Sequence, residues 1–398
     1  MINSDNSDSK TAYQRELFSN RLKKKYKELR KQMRKNRVMS YRLYDRDIPE
    51  VPLSLDLYEF LPDDIDTPME AARFISAQNE KLSANLPGVE AEIKERTYAV
   101  LYLYERPYEK AEDEEIAWLN AMAAAASEVL GLEASHIIKK ERGHKSHKAG
   151  EQYKALSQSE DSSLSLSGLT GQSVTGLTLE QGQLFRLDLT SYLDTGLFFD
   201  HRPLRSLVRD SCSKKRVLNL FCYTGSFSVY AAQGNARYVE SVDLSNTYLA
   251  WAKDNLKLNG FTDKNRYAFT RADCMRFLQE KAVAAKGGQL LPEERYDLII
   301  LDPPTFSNSK ATSDVLDINR DWPQLVKDCL NILAPGGVLY FSTNSERLKF
   351  DESKIPPKTA AGLAFDCKEI TAQTIPSDFA GKKPHKVWEF KLKTAESF

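Results

Sequence analysis

Long apolar runs and closely spaced cysteines are both missing from this chain of 398 residues. No stretch approaches the roughly 20 apolar residues that a membrane-spanning helix needs, and residues 1–10 are polar where a signal peptide would be hydrophobic. The five cysteines lack the spacing of zinc sites or disulfide frameworks. This composition predicts a cytoplasmic protein with no membrane segment and no metal site.

A net charge is also missing, since 56 basic residues balance 56 acidic ones, but the distribution is uneven. Residues 15–37 hold eleven Lys or Arg and two Glu, and apolar residues recur at spacings of three and four from Phe18 to Met33. This pattern predicts an amphipathic helix. A solvated charged face is the simpler interpretation, but the steep imbalance favours a polyanion such as RNA. The predicted RNA contacts are Lys23, Lys24, Lys27, Arg30, Lys31 and Arg34.

The first half of the chain predicts a small α+β domain over residues 1–190, with the basic helix at its start. One helix, Glu112–Leu130, is expected to pack against a sheet. The predicted strands are Ser40–Asp45, Val51–Tyr58, Thr97–Glu105, Ser135–Lys140 and Gln183–Leu189.

A second basic run at residues 139–148 precedes a Ser/Gly-rich stretch over residues 157–176, which predicts a loop. This run adds Lys145 and Lys148 to the predicted RNA contacts. His144 and His147 have no nearby Cys or carboxylate in the sequence, so we interpret them as surface residues rather than metal ligands.

From residue 191 to 398, strand and helix patterns alternate, which predicts a mostly parallel sheet with helices on both faces. An apolar strand at Arg216–Phe221 stops at a turn, and a helical pattern starts near Ser226. A strand, a tight turn and a helix N-terminus together form the place where α/β sheets bind nucleotide-like ligands. A dehydrogenase would need G-x-G-x-x-G here. The single glycine of this turn, Gly225, leaves little room for a pyrophosphate and favours a single-nucleoside ligand.

Acceptor side chains end the next two predicted strands. Asp243 follows Gly225 by 18 residues, where a carboxylate can accept both ribose hydroxyls. A helix cap is the alternative role for Asp243, but Ser245 can cap the following helix. Asp273 and Cys274 offer an acceptor and a small polarizable group to an adenine. These positions predict an adenosine site.

Residues 302–306 read Asp-Pro-Pro-Thr-Phe directly after a buried strand and form the most specific motif of the chain. Pro303 and Pro304 fix a loop whose carbonyls cannot be used by a helix. Such a loop can hold Asp302 against a flat base while Phe306 stacks on it. A purely structural Pro-Pro turn is the alternative. We predict these four residues as the catalytic set.

Long segments of the chain resemble the RlmK family, which forms the C-terminal half of the bacterial 23S rRNA methyltransferase RlmKL. They are residues 218–226, 242–252, 255–260, 272–274 and 302–310, with further likeness at 192–202, 41–45 and 20–23. The resemblance implies a Rossmann-like class I methyltransferase domain with a seven-stranded, mostly parallel sheet and S-adenosylmethionine (SAM) as cofactor. It also implies N7 methylation of one guanine in 23S rRNA. The THUMP module and guanine-N2 methyltransferase of RlmKL have no counterpart here, which implies a stand-alone form whose missing half a separate partner could replace.

The resemblance also implies a role for each site residue. Asn219, Tyr223, Thr224 and Gly225 would line the methionine end of the cofactor. Asp243 and Ser245 would lie at the ribose, Asp273 and Cys274 at the adenine, and Asp302 to Phe306 at the target guanine.

Three alternatives stay open beside direct transfer to guanine N7, a lone pair without a proton, which needs placement but no general base. Cytosine-C5 methylation, as in the related RlmI family, needs a nucleophilic cysteine just after the fifth strand, and residues 341–346 contain none. Guanine-N2 methylation remains possible because an Asp-Pro-Pro loop can also accept protons from an exocyclic amine. A non-catalytic RNA-binding ribosome-assembly factor is the alternative from another class.

Overall fold

The computed structural model describes residues 2–106, 108, 110–142, 173–307 and 315–394. The predictions for Lys145, Lys148, His144 and His147 lie outside these residues, as do most of 157–176 and residues 308–310. The chain divides into two compact units, Met1–Phe199 and Asp200–Phe398, a boundary nine residues beyond the expected one. Among the described residues, no helix is long and apolar enough to cross a membrane.

The first unit is built on a four-stranded sheet with the order β1-β2-β3-β4. Neighbouring strands are antiparallel except β3 and β4, which are parallel. β5 and β6 form a separate antiparallel pair, and β5 begins inside the stretch that was expected to be a loop. In chain order the elements are α1 (Ile2–Lys35), β1 (Ser40–Asp45), β2 (Leu53–Glu59), α2 (Pro68–Ser83), α3 (Val89–Glu95), β3 (Thr97–Tyr104), α4 (Glu112–Leu130), β4 (Ile137–Arg142), β5 (Thr175–Glu180) and β6 (Gln183–Asp188).

Two helices, rather than the expected one, pack on this sheet. α1 and α4 contact each other, and their apolar side chains join those of the strands in one core. The amphipathic helix predicted in the N-terminal region is confirmed, because Phe18, Leu22, Leu29 and Met33 are buried along one side of α1. α1 therefore serves the core with one face and presents its charges on the other.

The second unit contains the seven-stranded sheet, with the order β14-β15-β13-β10-β7-β8-β9. Five strands run parallel, and β15 and β14 are antiparallel to their neighbours. This confirms the mostly parallel sheet. Its elements are α5 (Arg202–Ser211), β7 (Arg216–Leu220), α6 (Ser226–Gln233), β8 (Tyr238–Asp243), α7 (Asn246–Leu258), β9 (Tyr267–Arg271), α8 (Cys274–Lys286), β10 (Tyr296–Leu301), β11 (Phe306–Ser307), β12 (Leu316–Asp317), α9 (Ile318–Ile332), β13 (Leu333–Thr343), β14 (Phe365–Glu369), α10 (Thr371–Thr374) and β15 (Lys386–Leu392).

The strand order places a switch point at the middle of this sheet. From β7 the chain builds outward through β8 and β9, and it then returns to β10 on the other side of β7. Leu220 and Leu301, the last residues of β7 and β10, lie in register. Ligands of open α/β sheets bind in the crevice beyond the carboxyl ends of the strands at such a point. The turn after β7 and the loop after β10 therefore begin side by side.

Gly225 fits the turn after β7 for two separate reasons. Its φ of +74° is a left-handed conformation that side chains disfavour. A Cβ on this residue would also lie 2.7 Å from the Cβ of Ala252 on α7. The absence of a side chain thus lets α6 begin close against α7.

We expect Gly225→Ala to lower the free energy of unfolding by about 2–4 kcal/mol, combining left-handed strain with overpacking. Gly260→Ala is the matched control, since Gly260 has a φ of +81° and nothing within 4 Å of the added Cβ. Its loss should be limited to about 1–2 kcal/mol of strain. Urea unfolding of both variants measures the difference, and equal losses would contradict the role given to Ala252.

Candidate active site

The turn after β7 is held in an uncommon backbone conformation. Phe221 and Tyr223 have positive φ values of 53° and 50°, which non-glycine residues seldom adopt. The N–H of Tyr223 donates to Oδ2 of Asp243 at 3.0 Å, and the N–H of Cys222 donates to the carbonyl of Val242 at 3.0 Å. Hydrogen bonds to the end of β8 thus hold the strained turn in place.

Asp243 joins two turns through its carboxylate. One oxygen accepts from Tyr223, and the other accepts from the N–H of Ser245 at 2.9 Å. Ser245 caps α7, with its hydroxyl accepting from the N–H of Tyr248 at 3.3 Å. Burial raises the pKa of Asp243, and the backbone hydrogen bonds oppose that rise. Because each carboxylate oxygen can accept two hydrogen bonds, Asp243 keeps acceptor capacity for a ligand.

Four other predicted cofactor residues take part in the internal structure of this region. Asn219 is buried and donates to the Ser228 hydroxyl at 2.9 Å. Thr224 is also buried, and its carbonyl accepts from the Asn255 amide at 2.9 Å. Asp273 caps α8 by accepting from the N–H of Met275 at 2.8 Å, whereas buried Cys274 presents its sulfur 3.3 Å from the N–H of Phe221. In this structure Asn219 and Thr224 support the turn from the interior.

Hydrogen bonds hold the C-terminal side of the loop after β10. Thr305 donates from its hydroxyl to Asn344 at 2.6 Å, and its carbonyl accepts from the N–H of Ile318 at 3.1 Å. Phe306 pairs with Asp317 in the two-stranded β11–β12 ladder. Its ring is 47% exposed, which is unusual for a phenylalanine. Pro303 is buried, so the loop presents Asp302 and Phe306 from a rigid base.

Asp302 belongs to a buried network that was not predicted from the sequence. Oδ1 of Asp302 lies 3.5 Å from Nε2 of His201, which also lies 2.8 Å from the Ser342 hydroxyl at the end of β13. The other ring nitrogen of His201, Nδ1, lies 3.2 Å from Oδ2 of Asp200. His385 places its Nδ1 2.9 Å from the same oxygen. The two imidazole rings stack with centroids 4.4 Å apart.

Charge pairing sets the ionisation of this network. Burial alone would lower the pKa of His201, but Asp302 and Asp200 raise it to about 10. Burial would raise the pKa of Asp302, but the charge of His201 and hydrogen bonds from His201 and Ser342 outweigh it and lower the pKa. The pKa of Asp200 is likewise held well below its usual value, against burial, by His201 and His385. Asp302 is therefore an ionised carboxylate.

Asp200, His201 and His385 also offer ligand atoms within 4.8 Å of one another, close enough to hold a metal ion. The Asp200 carboxylate already pairs with Nδ1 of His201 at 3.2 Å and with Nδ1 of His385 at 2.9 Å. These contacts explain why the three side chains lie so close together.

All five cysteines have unreactive surroundings. Cys222 and Cys274 in the turn region are buried, and burial raises the pKa of each thiol well above its usual value. Burial also raises the pKa of Cys212 to about 11, and it raises the pKa of Cys329 and of the half-buried Cys367. Since the thiolate is the nucleophilic form, this environment does not favour covalent chemistry at cysteine.

On α1 the predicted RNA contacts separate into two groups. Arg30 pairs with Glu90, and Arg34 pairs with Glu59 at 3.4 Å and donates to Gln78 at 3.2 Å. These two arginines thus bind acidic groups of their own unit, and their contact with RNA stays a prediction. The lysines Lys23, Lys24, Lys27 and Lys31 are exposed.

The sheet, its switch point and the acidic residue at the end of β8 define a Rossmann-like nucleoside-binding domain. The family model for S-adenosylmethionine-dependent methyltransferases matches residues 152–354. The "Ribosomal RNA large subunit methyltransferase K" of Neisseria meningitidis is 37% identical over 378 residues, which cover 95% of this chain and 87% of that protein. This chain therefore belongs to the SAM-dependent methyltransferase family, in its RlmK group.

Two further likenesses differ in what they cover. The "Ribosomal RNA large subunit methyltransferase K/L" of Magnetococcus marinus is 35% identical over 94% of this chain, but the chain spans only 42% of that protein's length. A crystal structure of a candidate methyltransferase complexed with SAH has a TM-score of 0.63 and 22% identity, with 95% of this chain and 81% of that one covered. The second likeness shows the fold, and it spans both units of the chain.

The residues at the switch point fit the family's cofactor. An adenosine needs acceptors for its ribose hydroxyls and its amino group, and Asp243 and Asp273 stand at the ends of β8 and β9. The methionine carboxylate needs N–H donors, which the N-terminus of α6 supplies. These donors and acceptors are thus of the kind that SAM needs.

Proposed function

We propose that this protein transfers the methyl group of SAM directly to N7 of a guanine in 23S rRNA. The observation that carries the proposal is the Asp302 carboxylate, which lies 3.5 Å from His201 and shares the loop after β10 with the exposed ring of Phe306, at the switch point of a SAM-dependent fold. The relative with 87% of its length covered is named as a methyltransferase of large-subunit ribosomal RNA, which supports the class of substrate.

In this proposal the cofactor is held by the carboxyl ends of β7, β8 and β9. Asp243 and Ser245 bind the ribose, and Asp273 and Cys274 contact the adenine. Tyr223, Thr224 and Gly225 hold the methionine end, with Thr224 acting through its backbone because its side chain is buried. Asn219 stabilises the turn from inside through Ser228. SAM supplies an electrophilic methyl group, and these residues orient it.

Asp302, Pro303, Pro304 and Phe306 hold the acceptor base in this proposal. The exposed ring of Phe306 offers a stacking surface for a base that has left its helix. Methylation at N7 makes the guanine cationic without releasing a proton. A fixed carboxylate such as Asp302 stabilises positive charge that develops in the transition state, at no cost of reorganisation.

The same site geometry bears on the three alternative functions. Guanine-N2 methylation is the second candidate, because a carboxylate at position 302 can also accept from an exocyclic amine. Cytosine-C5 methylation is disfavoured because burial raises the pKa of every cysteine in the chain. A non-catalytic assembly factor would have no need of the strained turn after β7, which costs free energy to maintain.

Exposed lysines on α1 are proposed to bind the phosphates of the RNA backbone. Lys23, Lys27 and Lys31 are spaced by four residues and are all exposed. Residues four apart lie about 6 Å from one another along a helix axis, so their ammonium groups form a row on one side. Such a row contacts phosphates without reading the base sequence.

The position of methylation is tested by chain scission. RNA from cells with and without this protein is treated with borohydride and then aniline, which cleaves the chain at N7-methylguanine. We expect cleavage at a single guanine of 23S rRNA that depends on this protein. Intact RNA together with a protein-dependent N2-methylguanine would assign the second candidate instead.

We expect Asp302→Ala to reduce methyl transfer at least about 100-fold, the usual loss when a fixed electrostatic group is removed. SAM affinity measured by calorimetry should be unchanged, because Asp302 lies on the acceptor side in this proposal. Asp366→Ala is the matched control, since Asp366 is an exposed carboxylate of the same unit. Wild-type rates in Asp302→Ala would remove Asp302 from the mechanism.

The triple variant Lys23→Gln, Lys27→Gln, Lys31→Gln should bind 23S rRNA fragments more weakly. We expect the slope of log affinity against log salt to become shallower by roughly 2–3, about one per lost phosphate contact. The control replaces Lys253, Lys257 and Lys264 by Gln, three exposed lysines of the second unit. Equal changes in the two triple variants would show that total charge matters and the row on α1 does not.

A further inference from the structure

Both ring nitrogens of His201 face oxygen atoms of neighbouring side chains. Nδ1 faces the Asp200 carboxylate at 3.2 Å, and Nε2 faces the Ser342 hydroxyl at 2.8 Å and the Asp302 carboxylate at 3.5 Å. An ionised carboxylate can only accept hydrogen bonds, so carboxylates close to both nitrogens favour the doubly protonated ring. This geometry and the raised pKa of His201 together indicate an imidazolium. The Phe227 ring packs against His201 in an edge-to-face arrangement, with the ring centroids 5.8 Å apart.

His385, whose ring stacks on that of His201, is neutral. Its Nδ1 donates to Asp200, and its Nε2 lies 2.9 Å from the Thr374 hydroxyl. Burial and the neighbouring charge of His201 lower the pKa of His385. One stacked ring is thus charged while the other is neutral. Asp200 accepts from both rings, so it fixes the orientation of His201 relative to Asp302.

We propose that His201 is a positioning residue, which as a permanent imidazolium orients the Asp302 carboxylate toward the methyl acceptor and cannot itself act as a base. This inference rests on the proposed function, which places the acceptor at Asp302. A charged His201 also restricts the kind of methyl acceptor that the site can use. An imidazole that already holds two protons, next to a carboxyl whose pKa is lowered, is poorly suited to remove a proton from an amine. The site suits an acceptor nitrogen that has a lone pair and no proton to lose.

Histidine side-chain ¹⁵N NMR tests the protonation state without any turnover. In the wild type we expect both His201 nitrogens to keep their protons from pH 6 to 9, because the His201 pKa is about 10. Asp302→Asn removes one carboxylate, so His201 should lose a proton at a lower pH than in the wild type. Asp366→Asn, at an exposed carboxylate of the same unit, should leave the signals unchanged. A wild-type His201 that loses its proton near pH 6.5, or that binds added zinc through the same nitrogens, would overturn the proposal.

Kinetics of Asp200→Asn test the positioning role, since Asp200 contacts His201 and is no part of the acceptor set. Loss of one carboxylate lowers the pKa of His201, so the alkaline limit of kcat should move to lower pH by at least one unit while SAM affinity stays constant. His201→Asn should lower kcat about tenfold or more at every pH with little change in SAM affinity. An alkaline limit that stays in place overturns the proposal.

The two tests separate this inference from the proposed function. If no 23S rRNA is methylated, the proposed function fails, and the NMR experiment still decides the state of His201. If methylation occurs at the normal rate in His201→Asn with folding and SAM binding intact, the function stands and the positioning role is wrong.

Discussion

The ion cluster around His201 is the interaction on which the loop after β10 depends. Its members come from separate elements: Asp200 and His201 precede α5, Asp302 follows β10, Ser342 ends β13 and His385 precedes β15. A buried charge without its partner costs several kcal/mol, so each element must reach its place before the others are stable there. The same contacts therefore stabilise both the arrangement of these elements and the ionised form of Asp302.

The turn after β7 is stabilised in a different way. Around the turn after β7, backbone N–H groups are satisfied by Asp243, by the Val242 carbonyl and by Cys274 rather than by opposite charges. Backbone hydrogen bonds can impose the positive φ values of Phe221 and Tyr223, because the strain of order 1–3 kcal/mol for each such residue is offset by the surrounding structure. The turn thus relies on hydrogen bonds to a strained backbone, whereas the loop relies on a carboxylate paired with an imidazole ring.

Local pattern was sufficient to predict much of this unit. Parallel strands end at one edge of a sheet, so Asp243 after β8 and Asp302 after β10 could be placed in one region from the apolar runs that precede them. His201 could not, because 101 positions separate it from Asp302 and no spacing rule links them. The available signals were the Asp-His-Arg at residues 200–202, which ends a segment of family likeness, and the scarcity of histidine, with five in the chain. The acidic partners of Arg30 and Arg34 could not be predicted for the same reason, since Glu90 and Glu59 lie far from them in sequence.

The charges of α1 show how one helix can serve both structure and a polyanion. All four of its arginines pair with acids of their own unit, at Glu128, Asp47, Glu90 and Glu59. Arginine suits fixed, planar pairing, whereas lysine is a mobile and strongly hydrated point charge. The lysines left on the exposed face can attract phosphates but present no rigid fork to a base edge. Under the proposed function, the choice of nucleotide must therefore come from elsewhere, and the rigid loop of Asp302 and Phe306 has the fixed carboxylate and the exposed ring that such a choice requires.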